Sequence, residues 1–131
     1  QELQKIAGKN IEFLGRVSDE EVVKLYMNAR GFLMPQKEDA GIAPLEAMAA
    51  GVPVFWLAKG GLLEANKDGI TGRFFPEETD ESFLTWFQDF HREIEAGKYD
   101  NGAVFQAHVA QFDTENFRQK FQQIVQEHWK G

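Results

Sequence analysis

The stretch from Met34 to Pro53, MPQKEDAGIAPLEAMAAGVP, constrains the fold more than any other part of the sequence. It continues an apolar run and then passes through a polar loop that contains glycine. Pro44 and Gly51 follow, separated by the length of one short helix. Proline suits a first helical turn because its missing N–H would have no acceptor there, and glycine suits the position just past the last turn. The pattern therefore predicts a strand, a loop and a helix from about Ala43 to Ala50.

The start of this helix has the properties of an anion-binding site. The N–H groups around Gly41, Ile42 and Ala43 have no acceptor inside the helix, and the helix dipole adds partial positive charge there. Two acidic residues bracket this end, Glu38 in the loop and Glu46 in the helix, with seven residues between them. We expect Glu38 to lie in front of the helix mouth and Glu46 to project from the first turn. Such an end would suit a phosphate.

Each of the two acids also has a simpler explanation. Glu46, near the third helical position, would satisfy first-turn N–H groups and interact favourably with the dipole without binding any ligand. Glu38 alone would be a solvated loop acid. The residues taken singly leave these alternatives open. The longer series of a buried strand, EDAGI, a helix begun by proline and then GVPV favours a ligand site.

Glu38 and Glu46, together with the glycines and LEAMAAGVPV, resemble the donor-binding segment of retaining glycosyltransferases of the GT-B fold, whose signature is Glu, seven residues, Glu. Other segments are similar to the same family: NIEFLG to its preceding strand, KGGLLE to its glycine turn and DGITGRFF to its last strand. The combination of EDxGI, GGxxE and TGxFF is most similar to mannosyltransferases of polysaccharide assembly.

The resemblance implies transfer of a hexose, with mannose favoured, from a nucleoside diphosphate sugar such as GDP-mannose to a glycan or glycolipid acceptor. It implies retention of anomeric configuration, no cofactor and no essential metal. Glu38 would be the catalytic residue and would accept hydrogen bonds from sugar hydroxyls, while Glu46 would accept them from the ribose. The donor-binding residues implied are Arg16, Val17, Glu38, Asp39, Ala40, Gly41, Ile42, Ala43 and Glu46.

Arg16 and Ala40 also allow other interpretations. Arg16 and Val17 would lie near the nucleotide base, although a solvated loop residue explains Arg16 equally well. Ala40 replaces an aromatic residue common in the family, which removes packing beside the sugar. A non-catalytic interaction module on the same scaffold therefore remains an alternative, and so does a nucleotide-sugar epimerase, which shares the fold.

The composition excludes several other classes of protein. A chain of 131 residues with 43% apolar residues can bury one core, and its formal charge of −7 has the wrong sign for nucleic acid. No apolar run approaches the roughly 18 residues of a membrane span. The chain has no cysteine, and its histidines, His91, His108 and His128, are not at metal-ligand spacings. We expect a cytoplasmic protein that binds no metal.

The sequence begins without methionine, at QELQKIA, which is typical of the end of an amphipathic helix. By the resemblance, we expect residues 1–131 to be a fragment of the C-terminal nucleotide-sugar-binding domain. Its partner would be the missing N-terminal acceptor domain, so the fragment alone would be inactive. The whole enzyme would lie in the cytoplasm, peripheral to the inner face of the membrane where the acceptor requires it.

The predicted fold is α/β, an incomplete Rossmann-like parallel sheet of about four strands flanked by helices, with a helical C-terminal third. By the resemblance, the first two predicted strands cannot keep their family positions and still pair. We expect repair by direct pairing or by exchange with a second copy, which would make a homodimer. The predicted strands are Asn10–Leu14, Gly31–Met34, Val54–Ala58 and Gly72–Phe75.

The predicted helices follow from caps and apolar spacing. Ser18 and Glu21 form a capping box for a helix over Asp19–Ala29. Thr79 would cap a helix that stops at Gly97, and Thr114 would cap the last helix. The apolar stripes of this helical third are expected to be core because helical spacing alone explains them. They are Phe83, Phe87, Phe90 and Ile94; Phe105, Val109 and Phe112; and Phe117, Phe121 and Ile124. By the resemblance, the last helix crosses back towards the acceptor domain, so without that domain part of the Phe117–Trp129 face would be exposed or buried in a dimer.

Overall fold

A computed structural model describes residues 2–38 and 41–128, without the side chains of residues 125 and 128. Its centre is a three-stranded parallel sheet in the order β1-β2-β3, with helices around it. The strands are β1 (Phe32–Met34), β2 (Val54–Leu57) and β3 (Gly72–Phe75). The helices are α1 (Glu2–Ile6), α2 (Asp19–Asn28), α3 (Ile42–Ala49), α4 (Leu62–Ala65), α5 (Asp80–Glu95), α6 (Gly102–Val109) and α7 (Thr114–His128), with a 3-10 turn over Ala110–Phe112. The α/β class and the helical C-terminal third are as predicted.

Strand β2 is central, and all of its residues are buried. In register, Leu33 of β1 and Arg73 of β3 flank Phe55. The continuous apolar run VFWL suits this position because helices cover both faces of such a sheet. Phe55 packs against Phe83, Phe87 and Phe90 of α5, with ring centroids 5.3, 5.7 and 5.3 Å away. The prediction that this aromatic stripe is core is confirmed.

The predicted strand Asn10–Leu14 is wrong. This segment forms no strand, and Ile11, Phe13 and Leu14 are about half exposed. The reason is the lack of a neighbour, because an extended segment becomes a strand only when a second strand satisfies its N–H and C=O groups. In the described part of the chain β1 pairs only with β2, so direct pairing of the two segments does not occur. Exchange with a second copy stays a prediction.

The helix caps largely follow the sequence. The Ser18 hydroxyl accepts a hydrogen bond from the Glu21 N–H, and the Thr79 hydroxyl accepts one from the Ser82 N–H, as predicted. The prediction for Thr114 is wrong by one residue. Asp113 caps α7 instead, since its Oδ1 accepts from the Asn116 N–H at 2.7 Å.

The apolar stripe of α7 does not join the core of the described residues. Phe117 is 68% exposed and Phe121 is 57% exposed, and their rings stack on each other with centroids 6.2 Å apart. Helical spacing places such residues on one face, but only packing against another element makes that face a core. In the described residues this stripe is therefore exposed, as expected for this face in the absence of the acceptor domain, and Trp129 lies outside the described residues.

A polar network ties β3 to α5 and to the turn that follows it. Arg73 Nη1 lies 2.5 Å from Glu93 Oε1, and the Tyr99 hydroxyl donates to Glu93 Oε2 at 2.6 Å. Burial, followed by the hydrogen bond to Glu93, raises the pKa of Tyr99 well above its ordinary value. For Glu93, burial acts to raise the pKa, but hydrogen bonds from Lys98 and Tyr99 and the charge of Arg73 outweigh it and lower the pKa.

Between residues 2 and 128, leaving aside 39 and 40, no helix is both long enough and apolar enough to cross a membrane.

Candidate functional site

Helix α3 follows β1 after a loop and begins where the sequence predicts, within one residue. Gly41 is its N-cap with extended backbone, and Pro44 occupies the first turn, where the lack of an N–H costs nothing. The helix ends at Ala49, and Gly51 then adopts a left-handed conformation with φ +80°. Its buried face, formed by Pro44, Ala47 and Met48, holds the helix against the core.

The N-terminus of α3 has no side-chain cap. Ile42 and Ala43 are the first two helical residues, so their N–H groups have no intrahelical acceptor, and no acidic residue occupies the first turn. The positive end of the helix dipole is therefore not neutralised by a carboxylate of the same helix. A phosphate group at such a helix start accepts hydrogen bonds from the N–H groups, and its negative charge interacts favourably with the dipole.

Glu38 lies beside this helix end. A Cβ atom placed on Gly41 would come within 2.9 Å of Glu38 Cγ and 3.1 Å of Pro44 Cδ. The backbone of Glu38 is held as well, because its carbonyl accepts a hydrogen bond from the Gly61 N–H at 3.0 Å and it forms an isolated bridge with Gly60. The glycine turn at Gly60 and Gly61 thus fixes the loop that carries Glu38.

Glu46 lies differently from the expectation. It is the fifth residue of α3, not a first-turn residue, and its Oε2 lies 3.4 Å from the hydroxyl of Tyr26 on α2. It accepts this hydrogen bond from Tyr26 and not from an N–H at the start of its own helix. The reading of Glu46 as a first-turn cap is therefore wrong, and its carboxylate faces α2.

A groove of about 830 Å³ runs between α2 and α3 at this point. Tyr26 stands in its wall with its ring edge-on to Phe32 of β1, at a centroid distance of 5.8 Å. Burial, followed by the charge of Glu46 and its hydrogen bond, raises the pKa of Tyr26, so the hydroxyl is protonated at neutral pH and donates. The groove is lined by Asp19, Val22, Val23, Tyr26, Met27, Glu46, Ala49 and Ala50.

The remaining predicted residues divide into two groups. Arg16 is exposed and Val17 is partly buried in the loop before α2, and no hydrogen bond or ion pair of the described residues joins either to Glu38 or Glu46. They precede Asp19, which lines the same groove as Glu46. Asp39 and Ala40 lie outside the described residues. The loss of aromatic packing at Ala40 therefore stays a prediction.

Tyr26 is the site residue that sequence reasoning missed. Val22, Leu25 and Tyr26 are at helical spacing, which by itself indicates one apolar helix face and gives no sign that the tyrosine hydroxyl serves a site. A contact across 20 residues of chain has no local signal in the sequence.

The described residues contain no group of three or more His, Asp or Glu side chains arranged to hold a metal ion. His108, one of the histidines considered above, is buried and its Nε2 lies 2.7 Å from the Ala65 carbonyl oxygen. It links α6 to the end of α4.

Comparisons with known proteins converge on one group. The profile of the family described as "Glycosyl transferases group 1" matches residues 1–93. An uncharacterised glycosyltransferase of Methanocaldococcus jannaschii is 38% identical over 81 residues, which cover 60% of this chain and 20% of that protein. A D-inositol 3-phosphate glycosyltransferase of Streptomyces coelicolor is 33% identical over 94 residues, which cover 67% of this chain and 21% of that protein.

A solved structure extends the similarity to the fold. Sucrose-phosphate synthase from Thermosynechococcus elongatus superposes with a TM-score of 0.77 and 25% identity, over 95% of this chain and 32% of that one. The chain thus spans about a fifth of the length of the curated relatives it matches, at 20% and 21%.

Proposed function

The chain belongs to the glycosyl transferases group 1 family, and on that basis we propose that it is the donor-binding portion of a retaining GT-B glycosyltransferase. One observation carries the proposal. The uncapped start of α3 has Glu38 packed against its N-cap glycine, Gly41. In this proposal the helix start supplies the hydrogen-bond donors for a diphosphate, and Glu38 beside it supplies the acceptor for sugar hydroxyls.

The diphosphate would bind at the N–H groups of Gly41, Ile42 and Ala43. When the sugar leaves, negative charge develops on the diphosphate, and fixed N–H dipoles stabilise that charge without reorganising. Pro44 has no N–H to offer, so the donors come from the residues before it. The helix dipole adds to the effect because the first turn carries no carboxylate.

Glu38 would accept hydrogen bonds from the sugar hydroxyls. Its backbone is held by the Gly61 N–H, so less backbone freedom is lost on binding. Glu46 would accept from the ribose through the groove between α2 and α3. Arg16 and Val17 would contact the base, and Asp39 and Ala40 would contribute backbone contacts.

The proposed donor is a nucleoside diphosphate hexose, with GDP-mannose the first to test because of EDAGI, GGLLE and TGRFF. No metal is needed in this scheme, since the N–H groups at the helix start would stabilise the charge that develops on the leaving group. The acceptor hydroxyl would be held by an N-terminal domain of a longer protein. That protein would act in the cytoplasm, at the inner membrane face where its acceptor is a lipid, and the 131-residue chain alone would be inactive.

The test is calorimetric titration of the full-length protein with GDP, UDP and their sugars. We expect saturable binding of one nucleotide series, and Glu38→Gln should weaken the nucleotide sugar by roughly tenfold, since hydrogen bonds to charged groups contribute about 1.5–3 kcal/mol. Glu81→Gln, which changes an exposed acid in the first turn of α5, is the matched control. Absence of saturable binding, or equal affinities in the Glu38 and Glu81 variants, would refute the proposal.

A further inference from the structure

This inference rests on the proposed role of Glu46 in binding the donor ribose. We propose that Tyr26 is a positioning residue whose hydroxyl fixes the carboxylate of Glu46 in the orientation that receives the ribose diol. Tyr26 itself contacts neither the diphosphate nor the sugar in this scheme. It acts through Glu46.

The contact joins two helices that are adjacent in space. The Tyr26 hydroxyl donates to Glu46 Oε2 at 3.4 Å from α2 to α3. The tyrosine ring is itself fixed, since it is partly buried and lies edge-on to Phe32 at an interplanar angle of 61°. The hydroxyl is thus held by the core, whereas Glu46 is exposed and otherwise free to change rotamer.

Few other polar side chains line the groove next to the Glu46 carboxylate. Val22, Val23 and Met27 line the groove around it, so the carboxylate has apolar neighbours on the α2 side. Asp19 is the other acidic residue that lines the groove, and Tyr26 is the lining residue that carries a hydroxyl.

Ribose recognition benefits from a fixed carboxylate. A vicinal diol donates two hydrogen bonds in one plane, and a carboxylate accepts both only when its own plane is aligned with the diol. With Oε2 turned towards Tyr26, Oε1 and the remaining lone pair of Oε2 face away from it. Tyr26 thus removes part of the ordering cost that the ribose would otherwise have to supply on binding.

The test compares two ligands in two proteins. Using whichever of GDP and UDP binds the full-length protein, affinities are measured for the ribonucleotide and for its 2′,3′-dideoxy analogue, in wild type and in Tyr26→Phe. Phenylalanine keeps the ring and its contact with Phe32 and removes only the hydroxyl. We expect the preference for ribose to fall roughly three- to tenfold, as for loss of one hydrogen bond of ordinary net strength, with dideoxynucleotide affinity unchanged.

Glu46→Gln separates this inference from the proposed function. We expect it to abolish most of the ribose preference, and Tyr26→Phe should then have no further effect, because residues that act as a unit are not additive. If Glu46→Gln lowers the preference but Tyr26→Phe leaves it intact, the positioning role is refuted while the ribose role of Glu46 stands. If neither variant changes the preference, the proposed ribose site itself fails.

A control distinguishes positioning from a general effect on folding. Tyr99→Phe removes another tyrosine hydroxyl, bonded to Glu93 far from the groove in sequence, and should lower thermal stability without changing ribose preference. Equal weakening of the ribonucleotide and the dideoxynucleotide by Tyr26→Phe would indicate a structural role and overturn the inference.

Discussion

Substituting Gly72 by alanine should disrupt the sheet. Gly72 is the first residue of β3, pairs with Val54 of the central strand, and has φ +148°. A Cβ atom there would lie 1.8 Å from the Val54 carbonyl oxygen and 2.6 Å from its carbonyl carbon. The obstacle is backbone, which cannot rotate away as a side chain would, so the β2–β3 ladder has to separate.

The expected cost combines two terms. A non-glycine residue in this region of φ costs about 1–3 kcal/mol, and forcing an extra carbon into a packed site costs about 1–3 kcal/mol more. Together they reach roughly 2–6 kcal/mol, a large share of the 5–15 kcal/mol that is typical of a whole domain. At about 4 °C per kcal/mol, the midpoint of thermal unfolding should fall by roughly 8–24 °C.

The assay is urea unfolding followed by far-ultraviolet circular dichroism, with two other glycines as controls. Gly51→Ala meets open space but has φ +80°, so it should cost only the backbone term of about 1–2 kcal/mol. Gly102→Ala, at the start of α6, meets open space without a left-handed φ and should be neutral or stabilising by up to about 1 kcal/mol. The reasoning is refuted if Gly72→Ala is no more destabilising than Gly51→Ala.

Further predictions concern the site, the polar network and the exposed stripe. Gly41→Ala should displace the Glu38 side chain and weaken nucleotide-sugar binding several-fold in calorimetry, with thermal stability nearly unchanged because the φ of Gly41 is −74°. Because the pKa of Glu93 is lowered in the folded state, this residue stabilises the fold above about pH 4.5. That stabilisation is lost as the pH falls through the pKa of the folded state. Glu93→Gln should therefore flatten the acid limb of a stability–pH curve. A steep limb that persists in this variant would contradict it. Phe90→Ala, in the core, should lower the free energy of unfolding in urea by about 3–5 kcal/mol. Phe117→Ser, on the exposed stripe of α7, should change it by less than about 0.5 kcal/mol. Equal losses in the two variants would show that α7 is packed in solution.

The parts of the fold that the sequence predicts are those whose signals are local. Ser18 and Thr79 cap their helices through residues three positions away, and Val54–Leu57 is apolar at every position because it is covered on both faces. Asn10–Leu14 has a comparable apolar run, but whether it forms a strand depends on a neighbour elsewhere in the chain. Pairing is a long-range property, and no local pattern predicts it.

The candidate site likewise has one part with a local signal in the sequence and one part that depends on distant residues. Proline and glycine determine where α3 begins and ends, so its N-terminus is predictable to within a residue. The direction of Glu46 is not, because it depends on how α2 packs beside α3 and on a hydroxyl from Tyr26. A spacing of seven residues shows that two acids share a segment, but not which neighbour each one meets.

The hydrogen bond between the Gly61 N–H and the Glu38 carbonyl couples two loops that are far apart in the chain. Gly60, which forms the bridge with Glu38, has φ +74°, so replacing it would distort the turn and shift the acid with it. A library that randomises only the residues around the helix start would therefore leave out the second loop, which holds the backbone of Glu38. Libraries that diversify both loops in combination would reach arrangements that neither loop can adopt alone.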